Sequence, residues 1–153
     1  MKKILTLLGL AVGTALPASA QKLVIGSRIP DLKAVQWLTA APRAEAPMLI
    51  EFYDPDNASS VRFFPRLADI RHKYGTGKAA LQIVVIAAQP EAAEKLVRDG
   101  GGRYCIGVDA EGKVCQAFNV RFLPYTILAD SKGVLYWQGN LGNLTDAVLQ
   151  KVR

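Results

Sequence analysis

The chain is poor in the residues on which most nucleophilic and metal-assisted chemistry depends. It has one histidine, His72, and two cysteines, Cys105 and Cys115, among 153 residues. A single histidine excludes a His-rich metal centre and makes any Ser-His or Cys-His mechanism depend on that one side chain. His72 lies between Arg71 and Lys73, late in a helical stretch, where a solvated surface residue is the plain reading. No two cysteines stand at Cys-x-x-Cys spacing. Thirteen glycines and eight prolines are too few and too scattered for a collagen-like or low-complexity chain. No basic run is interleaved with aromatics: Arg62, Arg66, Arg71, Lys73, Arg98 and Arg103 are dispersed, which excludes the clustered footprint of a nucleic-acid binder.

Long apolar runs are also missing. The one near the N-terminus, Ile4 to Val12, is too short to span a bilayer comfortably. Lys2 and Lys3 precede it, Pro17 breaks it, and Ala18-Ser19-Ala20 follows with small residues at the −3 and −1 positions. That is the pattern of a bacterial secretory signal peptide over residues 1–20, cleaved before Gln21, and it predicts an exported, periplasmic protein. No cysteine follows the small residues, so a lipid anchor is not expected. The remaining 133 residues carry a formal charge of +4 once Lys2 and Lys3 are gone, enough for solubility. The full chain is 50% hydrophobic and 21% charged, a globular composition, and the remaining residues have the size of one domain, residues 21–153.

What is present is an alternation of strand and helix signals. Pro47 to Tyr53 is a compact apolar run bounded by Pro and by Asp54-Pro55-Asp56-Asn57, the signature of a buried strand. A helix is expected from Ala58, capped by Asp56 or Asn57, with Val61, Phe64, Leu67, Ala68 and Ile70 on one face and a kink at Pro65. Ala80–Ala87 reads as a second buried strand and Pro90–Val97 as a helix with proline near N1, closed by Gly100-Gly101-Gly102. Arg103–Val108 is a third strand, followed by a short helix over Lys113–Phe118. Tyr125–Ala129 and Val134–Trp137 flank a turn at Asp130-Ser131-Lys132-Gly133. Leu141–Val152 closes as an amphipathic helix. This order predicts an α/β fold with a central mixed sheet of about five strands flanked by helices.

The informative segment for chemistry is Phe52 to Pro65, where a buried strand ends, a loop turns and a helix begins. Such a helix start is an electropositive point. Asp54-Pro55-Asp56 superficially suggests an Asp-x-Asp phosphatase nucleophile, but no downstream acidic pair supports the Mg²⁺ that chemistry needs; turn formation and capping explain the residues. Calcium is excluded because Ala58 stands where a loop ligand is needed. Neither a metal nor another cofactor is expected. Trp37 and Trp137 read as packing residues.

Phe52-Tyr53, a helix proline at Pro65, Gly26-x-x-x-Pro30-Asp31, and Leu123-Pro124-Tyr125-Thr126 leading to Asp130-x-x-Gly133 stand in an order and spacing that resembles the TlpA-like branch of the thioredoxin-fold family. The resemblance runs from about Gly26 to the C-terminus. It implies a thioredoxin-like fold and places the family's Cys-x-x-Cys pair at Asn57 and Ser60, in the run Asn57-Ala58-Ser59-Ser60. An amide and an unpaired hydroxyl cannot perform thiol–disulfide exchange, so no catalytic residue is expected there. The resemblance further implies a shallow groove beside a proline able to adopt the cis form, lined by Asp54, Asp56, Asn57, Ser60, Leu123 and Pro124 and suited to a protein or extended peptide.

The two cysteines leave three readings open. An even count in an oxidising compartment favours a disulfide. Against it, Cys105 lies about 13 Å before the Asp109 turn at ~3.3 Å per strand residue, and Cys115 only about 4.5 Å beyond it at ~1.5 Å per helical residue. A bridge needs Cα atoms within about 7 Å. Two buried thiols, or a displaced redox pair making the protein a thiol-disulfide oxidoreductase through Cys105 and Cys115, are the alternatives.

Overall fold

The computed structural model describes residues 22–153. The signal peptide read in residues 1–20 and its junction at Gln21 lie outside them. In chain order the elements are β1 (Gln36–Trp37), β2 (Met48–Tyr53), α1 (Ala58–Phe63), α2 (Arg66–Tyr74), β3 (Gln82–Ala87), α3 (Pro90–Arg98), β4 (Cys105–Val108), α4 (Lys113–Ala117), β5 (Tyr125–Ala129), β6 (Leu135–Gly139) and α5 (Asp146–Gln150).

The strands form one mixed sheet in the order β1-β4-β3-β2-β5-β6. β2, β3 and β4 run parallel, while β5 and β6 are antiparallel to their neighbours and β1 is antiparallel to β4. Apart from Glu51 and Thr126, the central strands are apolar on both faces, because helices cover both. Side-chain alternation divides the core. Leu49, Ile83, Val85 and Leu128 meet Leu67, Ile70, Ala93 and Leu149 on one face. Ile50, Phe52, Val84, Ile86 and Ile127 meet Val114, Phe118, Leu23 and Val35 on the other.

The mixed sheet flanked by helices is as expected, and two expectations about helices are corrected. The sixth strand, β1, is a two-residue edge pairing with no hydrophobic pattern of its own. Its close approach is permitted by Gly107, where a Cβ would fall 2.2 Å from the Val35 side chain and 3.1 Å from the Trp37 ring. The kink expected at Pro65 is a full break: α1 ends at Phe63 and α2 starts at Arg66, because proline supplies no N–H to continue the ladder. The closing helix is shorter than Leu141–Val152. Leu141–Asn143 is a 3-10 turn, Leu144 is extended, and Thr145 caps α5 by accepting from the Val148 N–H. Arg66 donates to the carbonyls of Gly142 and Leu144, tying this segment to α2.

Candidate functional site

The parallel strands β2, β3 and β4 all finish at the same edge, at Tyr53, Ala87 and Val108. In open α/β sheets ligands bind outside such carboxyl ends. The loop after β2 is held by its own side chains. The Asp54 carboxylate accepts from the Asp56 N–H at 2.9 Å, and the Asn57 N–H donates to the Asp54 carbonyl. Asn57 then caps α1, its Oδ1 accepting from the Ser60 N–H at 2.8 Å. The Ser60 hydroxyl in turn accepts from the Asp54 N–H at 3.1 Å. The polar residues from Asp54 to Ser60 thus stabilise a turn and a helix start.

The residues expected to line a groove separate into two groups. Asp56 is exposed, and Asp54, Asn57 and Leu123 are half-buried. Ser60 and Pro124 are buried, so their side chains support the edge rather than face a ligand. Ser60 is buried because it sits on the inward side of α1 and bonds back to the loop. The Leu123–Pro124 peptide bond is cis. Asp54 and Leu123 do come together: with Phe52, Tyr53 and Cys115 they line a cavity of about 70 Å³. Asp56, Asn57, Ser60 and Pro124 do not border it.

The cysteines are free thiols, not a disulfide. Cys105 opens β4, and Cys115 sits on the second turn beyond the strand's far end. Burial pushes the Cys105 thiol up, an effect partly offset by Arg43. Burial, reinforced by the neighbouring Asp109 carboxylate, pushes Cys115 up to about 12. Asp109 is itself buried; one carboxylate oxygen accepts from the Cys115 N–H at 2.8 Å and the other has no partner. Each thiol is therefore protonated at neutral pH, the opposite of an activated nucleophile.

Glu51 is a residue that sequence reasoning passed over. It lies in the middle of β2, fully buried, paired in register with Val85 and Thr126. Thr126 donates its hydroxyl to one oxygen, and the other is unpartnered. Burial raises its pKa to about 8, against a smaller lowering by the Thr126 hydrogen bond. The signal was available: one acid inside an otherwise apolar six-residue strand. Among the described residues, no group of three or more His, Cys, Asp or Glu side chains is arranged to hold a metal ion. No helix among them is long and apolar enough to cross a membrane.

No protein-family model matches the chain, and no curated protein matches it in sequence. Its backbone does match solved structures. A thiol-disulfide isomerase from Corynebacterium glutamicum is 17% identical, with a TM-score of 0.61 over 84% of this chain and 92% of that one. An uncharacterised thioredoxin-like protein from Porphyromonas gingivalis is 18% identical, with a TM-score of 0.57 over 72% and 76%. A thioredoxin-like protein solved in its oxidised form is 19% identical, with a TM-score of 0.63 over 82% and 91%. At such identities the likeness speaks for the fold alone, and that fold is thioredoxin-like.

Proposed function

We propose that this chain is an exported thioredoxin-like domain that binds a protein or extended peptide without exchanging disulfides. The observation that carries the reading is the chemistry at the start of α1. Where the resemblance to the TlpA-like branch calls for two thiols, an amide and a hydroxyl hydrogen-bond the loop to the helix. Neither can form or break an S–S bond. The Asp54–Asn57 loop and Leu123 would offer the edge against which an extended segment lies. Export rests on the Met1–Ala20 pattern.

A second reading, thiol–disulfide exchange through Cys105 and Cys115, has one observation in its favour: Cys115 borders the small cavity beside Asp54 and Leu123. The raised pKa of both thiols weighs against it.

Insulin reduction by dithiothreitol separates the two. The wild-type chain is expected to add nothing to the uncatalysed rate, whereas N57C/S60C forms an internal disulfide and gains turnover. Wild-type turnover abolished by C115S establishes the second reading instead. Wild-type turnover that persists without both cysteines, or a double variant that folds and cannot form the bond, removes the proposed reading.

A further inference from the structure

Behind α1, on the sheet face covered by α2 and α3, lies a second and larger cavity of about 430 Å³. It shares only Tyr53 with the cavity beside Leu123. Its volume falls in the range of about 300–1,000 Å³ typical of small-molecule sites. Tyr53, Phe64 and Tyr104 form a continuous aromatic wall: Tyr53 and Phe64 have ring centroids 4.8 Å apart, and Tyr104 meets Phe64 edge-on at 6.2 Å. Val61 and Leu96 complete the apolar lining. Two charged residues border the pocket, Asp99 and Arg103. Asp99 is answered by Lys95. Arg103 enters none of the four ion pairs found among the described residues. Beside it Gly100 carries no side chain, and a Cβ built there would meet nothing within 4 Å, so the mouth is open.

An aromatic wall selects a flat apolar body by offset or edge-on stacking. One uncommitted guanidinium at the mouth selects a carboxylate, which it can grip with two parallel N–H donors. From this pairing we propose that the cavity is a binding site for a one- or two-ring aromatic carboxylate, its rings against Tyr53, Phe64 and Tyr104 and its anionic head on Arg103. A cationic ligand of the same shape would meet the uncommitted Arg103, while Asp99, the one acid bordering the pocket, is already paired with Lys95. The site requires no thiol and stands independently of the peptide-binding reading.

The test uses 1-naphthoate, the neutral 1-naphthalenemethanol and the cationic 1-naphthylmethylammonium, titrated into the ¹⁵N-labelled chain and followed by amide shifts in two-dimensional NMR. Naphthoate is expected to shift the amides of Tyr53, Leu96 and Tyr104 and to bind about five-fold more tightly than the alcohol, the ammonium least tightly. R103Q should bring naphthoate down to the alcohol's affinity and leave the alcohol unchanged. V61W, at a half-exposed position, should fill the cavity and abolish both, with the fold checked by the dispersion of the same spectrum. Equal affinity for the three probes, shifts centred elsewhere, or a folded V61W chain that still binds would each overturn the proposal.

Discussion

Glu51 is the residue whose ionisation the fold resists most visibly. The folded chain holds its proton to about pH 8, while the unfolded chain releases it near 4.5. Between those values each rise of one pH unit favours the unfolded chain by about 1.4 kcal/mol through this group. The stability tied to the protonated carboxyl is thus complete below pH 4.5 and lost as pH rises through 8. E51Q keeps an acceptor for Thr126 and cannot ionise. Urea denaturation at several pH values is expected to show E51Q gaining on the wild type steadily from pH 5 to 8.5, with the two nearly equal at pH 5. Cys115 yields a kinetic counterpart. With its thiol pushed up to about 12 and half-buried, iodoacetamide at pH 8 should label it at least tenfold more slowly than an exposed cysteine in a peptide. Labelling at the peptide rate, read by mass spectrometry, would contradict its protonated state. The orphaned oxygen of Glu51 cannot be read from residue types, because it arises where β2 and β5, distant in sequence, meet, whereas Asp109 and Cys115 pair locally, across the turn that joins β4 to α4.

At the level of elements, signals local to the chain were the legible ones. The apolar run of β2, Asn57 as the cap of α1, and Pro90 at the start of α3 each depend on a few consecutive residues. β1 was illegible because a two-residue strand exists only through its partner, Val108 and Gly107 opposite Gln36 and Trp37. The end of the chain was misread for another reason: the apolar spacing from Leu141 onward is helical, but Thr145 preceding Asp146 is a capping signal that restarts the helix later. Motif order singled out Asp54, Asp56, Asn57, Ser60, Leu123 and Pro124, but their exposure, buried for Ser60 and Pro124, was not encoded in their identity. Gly107 gives the element-scale prediction. G107A must push Val35 and Trp37 away from β4, and overpacking of that kind costs ~1–3 kcal/mol. Thermal denaturation should show a lowered Tm, with a change in tryptophan emission reporting the shifted β1. An unchanged Tm and emission would mean that the close approach is not maintained in solution.

For the whole molecule, stability comes from the two apolar layers and not from charge or sulfur. Every ion pair among the described residues joins side chains more than half exposed, a class worth ~0–1 kcal/mol each, and the thiols are unbonded. Urea midpoints are therefore expected to be the same with and without dithiothreitol and to change little between low salt and 0.5 M NaCl. A midpoint that falls on reduction would show that a bond between Cys105 and Cys115 forms in solution. The strand order carries a spectroscopic consequence as well. It sets Trp37 on β1 and Trp137 on β6 at opposite margins of the sheet, five strand spacings or about 24 Å apart, and packs them into opposite layers. The chain's only two indoles are thereby native fluorophores at its two flanks, so single Trp-to-Phe substitutions let emission follow each flank in turn and reveal whether both come apart in one step.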